Sequence, residues 1–539
     1  MQSIVFSIFN LPLQLTEVNF MKPENDLIII LDFGSQTTQL IARRVRELGV
    51  YSEVLPCTTS HATLFNKKPK GIILSGGPNS VNCIHSGLTI PSAVFELHIP
   101  VLGICYGMQA MAKELGGAVS SGHSCEYGSA TVHIQKESAL LNNIPLPLSS
   151  LDVWMSHGDS VTQLPPGFDL IGLTKDCSTA IMEDSLRHYY GFQFHPELTH
   201  TPYGKELLSN FIHNICGCAS QWNASHIIDS AIASIQKEVG TERVLLGLSG
   251  GVDSSVLAVL LHKAIGKNLI AVFVDNGLLR LNEVDNVKNI FSQILKEHLI
   301  VVDAKEKFYL ALQGIEDPEE KRKTIGETFI RVFEEQAKVL NNVGYLAQGT
   351  IYPDVIESAQ HEGSAAQVIK SHHNVGGLPF DMPFKLVEPL RMCFKDEVRK
   401  IGMELGLPFE VVYRHPFPGP GLGVRILGEI KREYIGLLQR ADAIFLDVLK
   451  EANLYHTVSQ AFAVFLPIKS VGVKGDQRSY DYVIALRSVD TIDFMSAHVS
   501  KIPFEILEKA ALRIMNEIAG ISRVVYDISS KPPSTIEWE

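Results

Sequence analysis

No stretch of the chain strings together the roughly 18 to 20 apolar residues that a helix needs to cross a bilayer, so neither an integral membrane protein nor a membrane partner is expected. Cysteine is scarce, with eight in 539 residues, too few for a disulfide scaffold. Only Cys216 and Cys218 lie close together, and no second pair follows at zinc-finger spacing. That argues against a structural metal site and for free thiols in a reducing cytoplasm. Positive charge is short as well: 47 Lys+Arg face 59 Asp+Glu, a formal net charge of -12. Broad nucleic-acid binding, which depends on neutralising phosphates, is therefore not expected. A local basic pocket for one small anion remains open. From Met1 to Phe20 there is neither Lys nor Arg, so the basic start of a secretory signal is missing, and Pro12 interrupts the apolar stretch. Met21 is a candidate start, with residues 1–25 read as an N-terminal extension.

What is present looks like an ordinary globular composition, 45% hydrophobic and 20% charged. At about 100 to 200 residues per domain, the length predicts three domains or so. Short apolar runs alternate with amphipathic stretches. Strands are expected at Leu27–Leu31, Gly71–Leu74 and Pro100–Ile104, with helices over Thr37–Leu48 and Met108–Leu115. A second unit starts soon after Cys216–Trp222, with strands at Val244–Leu248, Leu269–Val274 and Leu299–Asp303 and a helix over Asp253–Lys263. This alternation indicates parallel α/β architecture. The run from His415 to Gly423 is too rich in Pro and Gly for a helix or a central strand. Beyond it the charge balance changes: Arg425 to Glu539 holds 14 Lys+Arg and 15 Asp+Glu, so the acidity lies in the first two units. The expected boundaries are 26–219, 220–415 and 416–539.

In the first module, Gly103-Ile104-Cys105-Tyr106-Gly107 joins a strand to a helix. Glycines two positions either side of a nucleophile permit the sharp turn that exposes it. At a helix N-terminus the dipole favours a thiolate, and the Tyr106 N–H can face a developing oxyanion. The competing reading is a small buried thiol. His195-Pro196-Glu197, after the aromatic strand Tyr189–Phe194, supplies a base and a carboxylate to orient it. Ser75-Gly76-Gly77-Pro78 offers unhindered N–H groups. These motifs, with Asp32-Phe33-Gly34 ahead of them, resemble the class I glutamine amidotransferases over about residues 26 to 215. The resemblance implies that Cys105 attacks the glutamine side-chain amide, His195 moves the proton and Glu197 orients His195. Gly77 and Tyr106 would stabilise the oxyanion, while Gln109 and Ser156–Asp159 would help hold glutamine.

In the second module, Ser249-Gly250-Gly251-Val252-Asp253-Ser254-Ser255 follows a strand and opens a helix. Two glycines let N–H groups converge, three serines add hydroxyls, and the helix dipole favours an anion. No Lys-Ser/Thr follows a G-x-x-x-x-G, so this is not the loop of a γ-phosphoryl-transferring kinase. A loop that holds the terminal pyrophosphate leaves the α-phosphorus open to attack, which transfers AMP. The pattern is that of the ATP pyrophosphatase superfamily; the bland alternative is a Ser/Gly-rich turn. Asp253 is a candidate Mg²⁺ contact. Val272–Asn276, with Val274, at the end of the next strand, is expected where an adenine would lie. Gly349–Asp354 is expected to line the same cleft, and Ile356–Leu378, with His372 and His373, to form a lid. Lys385 is a candidate to neutralise pyrophosphate, with a plain surface lysine as the alternative.

The third module adds a basic, Gly- and Tyr-rich stretch from Lys469 to Tyr482, then Lys531-Pro532-Pro533 and Glu537-Trp538-Glu539. By residue chemistry these are phosphate and base contacts on loops or simply a solvated basic face. Taken together with Pro418–Arg425, the three modules closely resemble the glutamine-hydrolysing GMP synthase family from about residue 26 to residue 539. The fold implied is a class I amidotransferase domain, an ATP pyrophosphatase parallel-sheet domain and a small α+β dimerisation domain. The function implied is conversion of XMP to GMP in guanine nucleotide biosynthesis, with ATP, glutamine and Mg²⁺, in a cytoplasmic homodimer. Lys531 and Glu537 would then contact XMP, with Arg322 reaching its phosphate and Arg425 and Arg478 as further candidates. Ser534 stands where the family commonly has Gly. Two rivals remain at this point. A tRNA-thiolating enzyme would need sulfur-carrying cysteines in the second module, where only Cys393 lies between residues 222 and 415. A non-catalytic nucleotide sensor would be expected to lack Cys105, His195 or Asp253.

Overall fold

A computed structural model describes residues 26–83, 88–145, 149–340, 343–355, 384–474, 476–491 and 496–539. The N-terminal extension and the expected lid, with His372 and His373, lie outside the described residues. The chain divides into two compact units, residues 1–227 and 228–539.

The first unit is built on a nine-stranded sheet. Across it run Tyr51–Pro56, Leu27–Asp32, Gly71–Leu74, Val101–Ile104, Tyr189–Phe192, Ile181–Asp184, Asp169–Leu173, Ala118–Ile134 and Ser150–Gln163. The first five are parallel, and the rest pair antiparallel. The parallel strands Gly71–Leu74 and Val101–Ile104 are buried throughout, as strands covered on both faces must be. The helix Thr38–Glu47 buries Ile41, Ala42 and Val45 on one side and carries Arg43 and Glu47 on another, the one-sided pattern that packs a helix on a sheet. The antiparallel half escaped the sequence reading. Its long strand Ser150–Gln163 alternates buried Leu151, Val153 and Met155 with outward neighbours and so gives no continuous apolar run, while Asp169–Leu173 and Ile181–Asp184 are short.

The second unit starts from a five-stranded, all-parallel sheet in the order Leu299–Asp303, Leu269–Asp275, Arg243–Gly247, Val343–Ala347, Lys385–Val387. The strand order reverses beside Arg243–Gly247, the position at which such sheets bind ligands. The long helix Pro318–Val339 is started by Asp317, whose carboxylate accepts from the Glu320 N–H at 2.8 Å. Proline stands at its first position and Glu319 and Glu320 in its first turn. The expected Pro/Gly break ends in a short 3₁₀ turn, Gly421–Arg425.

Beyond that turn come the helix Arg432–Glu451, the hairpin strands Gln460–Lys474 and Gln477–Asp490, the helix Phe504–Glu517 and the strand Ile521–Asp527. The last strand runs parallel to Gln477–Asp490. One apolar cluster includes Leu245, Val272 and Leu278 together with Phe445, Ile484 and Ile514. The phosphate-loop sheet and the α+β region therefore share a continuous core.

Candidate active sites

In the first unit the strand Val101–Ile104 hands over directly to the helix Tyr106–Glu114, and Cys105 makes the turn at φ 51° and ψ -107°. Non-glycine residues rarely adopt such a conformation, and strained backbone of this kind concentrates at functional sites. Both flanking glycines are required by contact. A Cβ on Gly103 would stand 2.6 Å from Met108 Cα, and one on Gly107 only 2.3 Å from the Leu74 carbonyl oxygen. The expected helix start at Met108 is thus two residues late, because the elbow leaves no spacer.

The Cys105 thiol donates to the Ser156 carbonyl oxygen at 3.6 Å, and Cys105 is among the neighbours that favour charge on His195. His195 Nδ1 donates to Glu197 Oε1 at 2.7 Å; both residues are buried. Burial works against charge on this imidazole, but the Glu197 carboxylate, Cys105 and the hydrogen bond to Glu197 outweigh it, pushing the ring up to about 10. Arg44 Nε donates to the Glu197 carbonyl at 3.1 Å. The predicted Cys105, His195 and Glu197 therefore converge.

Gly77 sits against the Tyr106 ring, where an added Cβ would come within 3.1 Å, and Gly76 approaches the His195 ring. Gln109 Nε2 donates to the Asp159 carbonyl at 2.7 Å and to Gln193 Oε1 at 3.2 Å. The same Asp159 carbonyl oxygen lies 3.0 Å from His157 Nδ1, whose other ring nitrogen lies 3.2 Å from Glu126. The Ser156–Asp159 stretch is thus fixed on the nucleophile side by Gln109 and on the far side by Glu126. Glu126 and Gln193 carry no motif and were missed. Cys177 lies near Glu126 and His157, but its thiol donates to the Thr179 carbonyl at 3.3 Å and is pushed up to about 12 by burial.

In the second unit, Gly250 turns the loop at φ 75°. The Ser249 and Ser254 hydroxyls lie 2.9 Å apart, and Ser254 also donates to the Gly251 carbonyl at 3.1 Å. Val252 and Asp253 open the helix Val252–Ile265, so its N-terminus points into the loop. Asp253 Oδ2 accepts from Lys395 Nζ at 2.5 Å. Its Oδ1 and the Ser255 hydroxyl are buried without a hydrogen-bond partner. Gly349 packs against Asp253, which brings the Gly349–Asp354 segment to the loop. Val274 is buried in its strand just before Asp275.

Lys385 stands elsewhere. It opens its strand opposite Tyr345, which pairs in turn with Val244 at the start of the loop-bearing strand. Its Nζ lies 5.5 Å over the Tyr345 ring. Among the described residues, Lys395 and Arg414 stand beside the loop, the latter donating to the Gly250 carbonyl at 2.6 Å and to Glu283. Both come from distant segments with no motif spacing, so sequence reasoning did not find them.

The acceptor candidates divide in the same way. Arg425 is fully buried and donates twice to Glu537, at 3.0 and 2.8 Å, while Gln460 Nε2 donates to the same carboxylate at 2.9 Å. Lys531 bridges to Ala497 through its backbone. Arg322 contacts the Glu539 main-chain oxygen. Arg478 is exposed near the tip of the hairpin, opposite Val473. It lies nine residues along the strand from Arg487, about 30 Å of extended chain, and so does not meet Glu537 within one chain. Arg487 was not predicted, yet it is buried and donates to the carbonyls of Ser529, Thr535 and Ile536.

Three family models match the chain: glutamine amidotransferase class-I over residues 29–215, NAD synthase over 225–326 and GMP synthase C terminal domain over 447–538. Curated relatives span nearly the whole sequence. The glutamine-hydrolyzing GMP synthase of Pseudomonas aeruginosa is 59% identical over 517 residues, covering 95% of this chain and 98% of that protein. That of Coxiella burnetii is 57% identical over 517 residues with the same coverage. That of Vibrio vulnificus is 58% identical over 512 residues, covering 95% and 98%.

Proposed function

The chain belongs to the glutamine-hydrolysing GMP synthases, and we propose that Cys105 makes its ammonia while the 249–255 loop activates XMP with ATP. The enzyme is an ATP-dependent carbon–nitrogen ligase with glutamine as nitrogen donor. The Cys105 sulfur attacks the glutamine side-chain carbonyl, and the carbon–nitrogen bond breaks as His195 delivers a proton to the departing ammonia. Water then hydrolyses the glutamyl thioester to glutamate. Glu197 holds the imidazole through Nδ1, and the N–H groups of Gly77 and Tyr106 serve the oxyanion. Gln109 and Ser156–Asp159 hold glutamine. The observation that carries this reading is the strained elbow conformation of Cys105 together with the buried His195–Glu197 pair bonded at 2.7 Å.

In the second unit, an oxygen of XMP attacks the α-phosphorus of ATP and pyrophosphate leaves. The loop N–H groups and hydroxyls, with Lys395 and Arg414 nearby, receive the pyrophosphate. Ammonia then displaces AMP to give GMP. Mg²⁺ would be held by Asp253, whose buried Oδ1 has no hydrogen-bond partner and, as a carboxylate oxygen, suits a hard cation; bound there it would neutralise phosphate charge. Glu537, Lys531 and Arg322 hold XMP, and Arg478 would have to come from a second chain.

We assign the enzyme to the cytoplasm, without a nucleic-acid partner; among the described residues no helix is long and apolar enough to cross a membrane. We also assign a homodimer. Exposed Val471, Val473 and Tyr480 support it, since Val471 and Tyr480 are cross-strand neighbours on an uncovered hairpin. Light scattering checks this assignment. The match of residues 225–326 to NAD synthase favours one rival acceptor, deamido-NAD. A panel of XMP, deamido-NAD, aspartate and UTP, read by AMP release, tests the choice: XMP alone should support it.

A further inference from the structure

Lys321 and Arg322 lie in the opening turns of the helix Pro318–Val339. The Lys321 side chain is completely buried, and its ammonium donates to the Ile426 carbonyl at 2.7 Å and to Glu539 Oε2. The other oxygen of that carboxylate accepts from the Gly428 N–H at 3.0 Å. Arg322 reaches the Glu539 main-chain oxygen. Glu539 is thus seated by donors on three residues, and a buried lysine depends on it for its counter-charge.

The residues before it are pinned one after another. Arg487 takes the carbonyls of Thr535 and Ile536, each at 2.8 Å. Arg425 grips Glu537, and Trp538 Nε1 donates to Asp527 at 2.9 Å. All these partners lie in the α+β region or the turn that leads into it. Glu539 differs, because Lys321 and Arg322 belong to a helix of the phosphate-loop region. The Lys321 and Arg322 side chains bond to this terminal segment at Glu539.

We propose that Glu539 is a positioning residue for the acceptor nucleotide. Its carboxylate, seated on Lys321 and Gly428, fixes the 531–537 segment against the adenylating region and so sets where the XMP oxygen lies relative to the α-phosphorus of ATP. The proposal rests on the reading above that Lys531 and Glu537 hold XMP. It also gives Arg322 a second duty, holding the segment that faces the nucleotide.

The test uses the full-length enzyme with ammonia, following AMP release while XMP and ATP are varied separately. For E539Q the expected result is a rise of about tenfold or more in the XMP KM, with the ATP KM changed less than about twofold, and a lowered melting temperature because buried Lys321 loses its counter-charge. E539D, which retains the carboxylate, should recover part of the loss. If E539Q does not fold, the double variant K321M/E539M removes both charges together and should show the same selective rise. An XMP KM within about twofold of the unaltered enzyme overturns the proposal. So does an equal loss of XMP and ATP affinity. No XMP-dependent AMP release from the unaltered enzyme would overturn the underlying reading as well, and is thereby distinguished from failure of the positioning role alone.

Discussion

Arg425 and Glu537 lie 112 residues apart in sequence and meet in a two-pronged salt bridge of 3.0 and 2.8 Å. The guanidinium is wholly buried, 4.1 Å over the Phe462 ring. Burial alone would weaken its charge, but Glu537 and Asp442 hold its pKa above the ordinary arginine value. A cation placed there cannot be left unpaired cheaply, and the bridge therefore also fixes the segment that carries Glu537.

Removing one partner of such a pair costs about 3–5 kcal/mol. E537A strands the buried cation, so it should lower stability by that order and abolish XMP-dependent AMP release together. Denaturant unfolding and a nucleotide assay measure the two effects. Unchanged stability would count against the bridge.

The elbow glycines make a sharper prediction. In G107A the new methyl would meet the Leu74 carbonyl oxygen at 2.3 Å. Overpacking of this kind costs about 1–3 kcal/mol, and displacement of Cys105 should reduce glutamine hydrolysis far more than ammonia-dependent amination. Equal loss of both activities would argue against a local effect.

His195 titrates high, at about 10 against an ordinary 6.5. A group raised in this way adds stability that is complete below pH 6.5 and lost as pH climbs through about 10. Nitrogen NMR of the ring should find it protonated through neutral pH. E197Q removes the main source of the upward shift, so the titration should move down and glutamine hydrolysis should fall by about 10²- to 10⁴-fold.

Lys395 donates to Asp253 at 2.5 Å beside the phosphate loop, whereas Lys385 opens a strand and lies over Tyr345. K395A should therefore raise the ATP KM strongly, while K385A should leave it nearly unchanged. Titrations of ATP at fixed XMP and ammonia separate the two. The reverse order would restore Lys385 to the site.

These contrasts mark what sequence can convey. Cys105 and the 249–255 loop were legible because their chemistry depends on neighbours in the chain: glycines two residues away, serines along one turn. His195 and Glu197 share a strand end for the same reason. Lys395, Arg414 and Arg487 carry no local pattern; each acts through a partner 40 or more residues away. Parallel strands such as Leu27–Asp32, Gly71–Leu74 and Leu269–Asp275 announced themselves as unbroken apolar runs, while Tyr51–Pro56 and Lys385–Val387, partly exposed, and Ser150–Gln163, exposed on alternate positions, did not. The continuous core from Leu245 to Ile514 is likewise invisible in a pattern that only shows where motifs change.

The central claim is a division of labour between ammonia production at Cys105 and amination of XMP in the second unit. It is tested most directly by C105A, assayed for GMP formation from XMP and ATP with glutamine and then with added ammonia. The account predicts no activity with glutamine and near-normal activity with ammonia. Loss of both activities in a folded variant, or retained use of glutamine, would contradict it.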